Sequence, residues 1–172
     1  MLITVRQLQA EDDRSEFRSG NVELDRFFQR YGGQNQFKHH IGTTYVAVEA
    51  DVVVGFATVA ASQLEIERLP PLRRRGLPRY LLSVLRLARL ATDERVQGQG
   101  VGQLLLKAVF LLTLRMSEDF GCVGIVVDAK PEAIGFYKKY GFFELEATQG
   151  QLGDRPEPGP MFLEIGAIPK RS

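Results

Sequence analysis

Residues 89–102 read Arg-Leu-Ala-Thr-Asp-Glu-Arg-Val-Gln-Gly-Gln-Gly-Val-Gly, and the interpretation of this stretch decides the fold. Arg86 to Thr92 reads as a strand, Asp93 to Gln97 as a turn, and Gly98 to Gly102 opens a long apolar helix. A strand running through a glycine-rich turn into a helix start aims unpaired backbone N–H groups outward. Without Cβ atoms in the way, an anionic group can approach them closely. The stretch is expected to cradle an anion, a diphosphate.

Two well-known diphosphate cradles do not fit. A P-loop requires Gly-Lys-Ser/Thr at the helix start, whereas Gly102 is followed by Gln103 and Leu104. A dinucleotide fingerprint belongs near the front of a βαβ unit, with an acidic residue about twenty positions on, and this context is missing. The pattern Gln97-x-x-Gly100-x-Gly102 instead resembles the acetyl-CoA motif of the GCN5-related N-acetyltransferase (GNAT) family. Ala133 to Phe142, Ala-Ile-Gly-Phe-Tyr-Lys-Lys-Tyr-Gly-Phe, resembles the second signature of that family, in the same order along the chain. The resemblance implies an α/β (α+β) fold, with a mixed central sheet of about six to seven strands, helices on both faces and a splayed parallel pair at the acetyl-CoA cleft.

Composition agrees with one compact domain over residues 1–172. A chain of 172 residues with 44% hydrophobic content can bury a sizeable core. The lone Cys122 excludes an internal disulfide and lies in an apolar run, where a buried strand thiol is the simpler reading than a nucleophile. No metal is expected. The start Met-Leu-Ile-Thr-Val-Arg lacks the features of a signal peptide, and no apolar run is long enough for a bilayer, so a cytoplasmic protein without membrane contact is expected.

Ile3 to Leu8 alternates as a first strand. Ser19 to Tyr31 carries Leu24, Phe27, Phe28 and Tyr31 on one helical face, with Asn21 as N-cap and Gly32-Gly33 as the stop. Phe17-x-Ser-Gly-Asn-x-x-Leu24, with Gln34-Asn-Gln36 downstream, resembles the entry segment of one branch of the family, the toxins of toxin–antitoxin pairs. Ser19 stands where that branch often has cysteine. Thr43–Glu49 and Val52–Ala60 form a hairpin across Ala50-Asp51. Gly55 marks either a close backbone approach or a small residue under a packed helix.

Leu69-Pro-Pro71 and Leu77-Pro78 interrupt helix and strand alike, leaving a loop that presents Arg73, Arg74, Arg75 and Arg79. From Arg68 through Arg89 there are seven arginines, and no acidic residue intervenes before Asp93. Such a run suits a polyanion, and Arg73, Arg74, Arg75, Arg79, Arg86 and Arg89 are candidates for RNA binding. A solvated loop near the cofactor phosphates is the alternative.

Between Ala88 and Leu90 the strict period of two breaks, which suggests a bulge. The resemblance implies that the backbone of Leu90, Ala91 and Thr92 bonds the pantetheine arm. It also implies that Gln97, Gly98, Gln99, Gly100, Val101 and Gly102 hold the diphosphate, and that Phe136 packs on the pantetheine or the core. Lys130 stands where related toxins often have asparagine beside the cofactor. Asp93 to Arg95 is expected to be an exposed turn. Gln103 to Asp119 is a helix whose apolar residues wrap more than one face, Gly121 ends it, and Val123 to Val127 is a buried strand. Asp128-Ala-Lys-Pro131 turns into the next helix, Phe142 to Glu146 is a strand, Gly150 to Pro160 a loop, and Met161 to Ile165 a last strand.

Attack of an amine on an acetyl thioester must expel a thiolate, and a phenol held near the sulfur can protonate it. Tyr137 and Tyr140 are three apart and lie on similar helix faces, so spacing does not choose between them. The resemblance chooses Tyr137, four residues before the glycine of Gly141-Phe142. No general base is evident: Glu65, Glu67, Asp93 and Asp128 have no spacing that puts them beside Tyr137, and His39-His40 lies in an early loop. An α-amine of reference pKa about 7.7 to 8.0, lowered further by a neighbouring ester, needs little help to lose its proton.

The reading is an acetyl-CoA-dependent N-acetyltransferase similar to toxins that acetylate the amino group of aminoacyl-tRNA and so block translation. The partners implied are a second copy and a ribbon-helix-helix antitoxin. An acetyltransferase for a small-molecule or peptide amine is the alternative, and intact Gln97 to Gly102 and Tyr137 argue against a non-enzymatic module.

Overall fold

Among the described residues, seven strands pair into a sheet: β1 (Thr4–Gln7), β2 (Thr43–Glu49), β3 (Val52–Leu64), β4 (Leu82–Thr92), β5 (Gly124–Ala129), β6 (Phe143–Glu144) and β7 (Gly159–Glu164). Their order is β1-β2-β3-β4-β5-β7-β6. The helices are α1 (Val22–Arg26), α2 (Val101–Asp119) and α3 (Ile134–Lys139). The computed structural model describes residues 2–77, 81–145 and 159–169, so Arg79, Glu146 and most of the loop expected over Gly150 to Pro160 lie outside the described residues. The sheet is mixed, as expected: β1-β2-β3 is antiparallel, β4 and β5 are a parallel pair on either side of α2 in the chain, and β7 runs antiparallel to β5 and β6. Cα packing groups the residues into two compact units, Met1–Ala60 with Leu87–Leu111, and Ala61–Arg86 with Leu112–Ser172.

The first unit is built on an aromatic cluster. Phe28 and Phe56 stack at 4.3 Å, and Phe17 meets both edge-on at 5.0 and 5.5 Å. All three are buried, and such pairs add about 0.5–1.5 kcal/mol each beyond their area. Asn21 caps α1 as expected, its Oδ1 accepting from the Leu24 amide at 3.0 Å. The hairpin at Ala50-Asp51 also forms, and both residues take positive φ (48° and 64°), the geometry of a type I′ turn made without glycine.

One expectation fails here. Gly32-Gly33 does not stop the helix: both residues are right-handed helical, and π-helical turns run over Phe27–Tyr31 and Gln34–His39 to a left-handed His40. The glycines make room instead. A Cβ on Gly33 would stand 2.9 Å from Nη2 of Arg14, whose Nη1 donates to the Phe28 carbonyl at 3.0 Å. The histidines therefore end a helix rather than lie in a loop. Gln36 ties this helix to the sheet, donating to the Leu8 carbonyl at 3.0 Å and accepting from the Thr44 amide at 2.7 Å.

Both readings of Gly55 hold together. A Cβ there would meet Val101 and Leu105 of α2 at 2.9 and 3.0 Å and the Ala91 carbonyl oxygen at 3.2 Å. Helix α2 buries a single stripe, Val101, Leu105, Leu106, Val109, Phe110, Thr113 and Met116. Leu104 and Leu111, which the apolar run placed among covered residues, are exposed.

In the second unit Leu64, Ile66, Leu69, Leu82, Val84, Leu145 and Phe162 form the core. The proline-rich segment is anchored to it, with 3-10 turns at Ile66–Arg68 and Pro71–Arg73. Gly121 ends α2 with φ 97°, as expected. β5 begins one residue later than expected and runs on through Asp128 to Ala129, so the turn into α3 is shorter, a 3-10 turn over Pro131–Ala133. Cys122 precedes this strand, buried, with its thiol donating to the Gly124 carbonyl at 3.3 Å and its pKa pushed up by burial. No described helix is long and apolar enough to cross a membrane.

Candidate active site

The first unit carries the cradle. β4 leads through Leu90, Ala91 and Thr92 into a 3-10 turn at Glu94–Val96, and α2 begins at Val101. Gly98 and Gly100 take φ of 79° and 84°, where a side chain is strained, and nothing stands within 4 Å of where a Cβ would be. The Gln99 amide donates to the Val96 carbonyl and the Leu104 amide to that of Gly100. The amides of Gly98, Gly100, Val101, Gly102 and Gln103 have no acceptor among the described residues. Five free donors at a helix start beside two open glycines suit a diphosphate. Gln97 has another partner, donating through Nε2 to the Ser19 carbonyl at 3.0 Å.

Asp93 is not part of an exposed turn. It is 1% exposed, and its carboxylate accepts from the amides of Arg95 and Arg18 at 2.9 and 3.1 Å and from Nε and Nη2 of Arg95 at 2.8 and 2.9 Å. Burial opposes its charge, but the Arg95 guanidinium and the two amides outweigh it and hold the carboxyl below its usual range. The Arg18 carbonyl in turn accepts from the Glu94 amide at 2.8 Å. The segment Phe17 to Leu24 is thus the buttress of the cradle, and Ser19 is locked by Oγ donation to Asp25 at 2.6 Å.

Asp93→Asn should lower stability by about 2 kcal/mol, discounted for the exposed guanidinium, because an amide cannot satisfy four donors. The folded-state pKa is depressed below the unfolded value of about 3.9, so the stabilisation is present above that pH and fades as pH falls through the lower folded value. The gap in urea midpoint between wild type and variant should be full at neutral pH and narrow below about pH 4.

The second unit carries the phenols. Tyr137 is 4% exposed, its ring edge-on to Phe136 and Phe142 at 5.2 Å each. Its hydroxyl bonds to no described residue and yet is not a buried unpaired atom, so the ring is enclosed while the oxygen reaches solvent. Burial pushes the phenol pKa well above its usual value. Tyr140 is only half-buried, so packing separates two residues that spacing did not. Lys130 caps the turn before α3, its carbonyl accepting from the Ala133 amide at 2.8 Å.

The arginines are more committed than their sequence suggests. Arg73 pairs with Glu164 and lies 4.8 Å from the Phe143 ring centroid, while Arg86 pairs with Asp128 at 2.9 Å. Arg74 donates to the carbonyls of Leu69 and Glu67, and Arg89 lies 3.6 Å over the Phe27 ring. Counter-charges absent from the run arrive from β5 and β7. Arg75 is exposed and is held by no described residue. Of the candidate bases, Asp93 and Asp128 are paired, whereas Glu65, Glu67, His39 and His40 are exposed. The described residues contain no metal-holding cluster.

A model of the acetyltransferase (GNAT) domain matches residues 40–144. The chain belongs to the GNAT acetyltransferase family. Both signatures fall in the matched segment. A tRNA-acetylating toxin of Mycobacterium tuberculosis (strain ATCC 25618 / H37Rv) is 29% identical over 138 residues, 80% of this chain and 82% of the relative. Among solved structures, AtaT complexed with acetyl-methionyl-tRNAfMet superposes with a TM-score of 0.84 at 25% identity, covering 96% of each chain. AtaTR bound with acetyl-CoA superposes with a TM-score of 0.77 at 26% identity, covering 96% of this chain and 95% of that one. The GNAT assignment accounts for the placement of a cradle before α2 and of a phenol on α3.

Proposed function

We propose that this chain is an acetyl-CoA-dependent N-acetyltransferase that acetylates the α-amino group of aminoacyl-tRNA in the cytoplasm and so blocks translation. The observation that carries the cofactor is the set of five amides between Gly98 and Gln103 that have no acceptor among the described residues. Those of Gly98, Gly100, Val101, Gly102 and Gln103 receive the diphosphate, and the Leu90 to Thr92 backbone receives the pantetheine arm. Gln97 acts by holding the entry segment through Ser19. Acetyl-CoA supplies the acetyl group as a thioester. Tyr137 holds its proton across the neutral range, because burial raises its pKa, and offers it at the hydroxyl oxygen to charge developing on sulfur. Phe136 and Phe142 fix the ring that carries this hydroxyl.

The amine supports the RNA part of the reading. With Asp93 and Asp128 paired, the site favours a nucleophile that is already neutral, and an aminoacyl ester provides one. The likeness to a tRNA-acetylating toxin and to AtaT with its acetylated tRNA points the same way. A second copy and a ribbon-helix-helix antitoxin are the protein partners that belong to this reading. The internal pairing of Arg73 and Arg86 favours the second reading, transfer to a small-molecule or peptide amine.

Labelled acetyl transfer from acetyl-CoA into charged total tRNA, beside uncharged tRNA and free amines, decides between them. Label on charged tRNA alone is expected; label on free amines in its place would establish the second reading. The rate should rise with amine deprotonation to half-maximum at or below about pH 7.7, with no fall from Tyr137 before about pH 10.

A further inference from the structure

The helical stretch from Val22 to His39 presents one face to solvent on which Arg26, Arg30, Gln34 and Lys38 recur every four residues. All four are exposed. Tyr31 and Phe37 flank it, 47% and 43% exposed. From Arg26 to Val48 the sequence contains no acidic residue. The side chains of Arg26, Arg30, Tyr31, Phe37 and Lys38 make no hydrogen bond, ion pair or ring contact with a described residue. This distinguishes them from Arg14, bonded in the same unit to Phe28, and from the paired Arg73 and Arg86.

Spaced cations alternating with half-exposed aromatic rings are the combination that binds unpaired nucleic acid: the cations follow the phosphates and the rings stack on bases that have lost their neighbours. A duplex keeps its bases stacked and leaves such rings idle. A protein partner for an aromatic face would be expected to want fewer bare cations. We propose that this stripe is a docking surface for an unpaired RNA strand, an inference that rests on the aminoacyl-tRNA reading, since such a substrate presents an unpaired strand at the end bearing its amino acid. The grip on RNA then comes chiefly from the helix, and the proline-rich arginine segment is secondary.

The test uses the full-length protein and a fluorescein-labelled unpaired oligoribonucleotide of about twelve nucleotides, with its duplex form alongside. Binding of the unpaired strand is expected, with at least about tenfold preference over the duplex. The Tyr31→Ala/Phe37→Ala double variant should lose about tenfold or more on the unpaired strand only. The Arg26→Gln/Arg30→Gln/Lys38→Gln triple variant should flatten the slope of log affinity against log salt by about two. It should also raise KM for charged tRNA, and its acetyl-CoA dissociation constant confirms that it is folded. All five side chains are exposed, and circular dichroism of each variant reports folding independently.

Unchanged affinity in both variants, or equal binding of duplex and strand, overturns the docking surface. Acetylation of charged tRNA is scored separately, so a failed stripe with intact transfer leaves the proposed function standing. RNA binding at the stripe without transfer to charged tRNA removes that function and keeps the stripe.

Discussion

Tyr137→Phe should lower turnover about a hundredfold while acetyl-CoA affinity stays within about twofold. The change removes only an oxygen that bonds to no described residue, and the ring remains edge-on to Phe136 and Phe142. Stability should therefore be nearly unaffected, which separates this variant from one that damages the fold. Single-turnover measurement is needed, because slow product release would hide part of the loss. Tyr140→Phe, at a half-buried neighbour, should change turnover by less than about threefold. Full activity in the Tyr137 variant would move the proton donor to Tyr140 or to water.

The second large effect is expected at Gly100. Gly100→Val places a β-branched side chain at φ 84°, where even an unbranched residue costs about 1–2 kcal/mol, and puts two methyl groups over the amides of the cradle. Losing two charge-assisted bonds at about 1.5 kcal/mol or more each predicts an acetyl-CoA affinity at least about a hundredfold weaker by calorimetry. Nothing stands within 4 Å of the missing Cβ, so backbone strain alone should lower the melting temperature of the cofactor-free protein, by about 2–8 °C, and affinity is measured below that temperature. Affinity within tenfold of wild type would show that the diphosphate lies elsewhere.

The cradle was legible because strand, turn and helix start are contiguous in sequence, as were the Asn21 cap and the hairpin at Ala50-Asp51. What stayed hidden depended on residues far along the chain. Gly32-Gly33 looks like a helix stop until Arg14 is seen in the space where their side chains would be. The arginine run looks uncompensated because Glu164 and Asp128 are supplied by other strands. Asp93 looks like a surface turn residue because nothing local shows that Arg18 closes over it. Tyr137 and Tyr140 are equivalent by spacing, and only burial in the folded chain separates them. Of the exposed stripe from Arg26 to Lys38, only the part before Gly32-Gly33 was visible as a helix, and its free face could be recognised only after the fold had carried the helix on to His39 and the aromatic cluster had shown which side was covered.

The sheet order has a consequence for how the protein is made. β7 lies between β5 and β6, both of which precede it in the chain. Gly124 admits it, since a side chain there would collide with the Leu163 carbonyl oxygen and the Phe162 ring. During synthesis at about 5–20 residues per second, β6 emerges about one to four seconds before β7 is complete. In that interval β5 offers an open edge and β6 has no strand to pair with, a state prone to intermolecular pairing. The nascent chain, rather than the finished one, is where the second unit is most vulnerable.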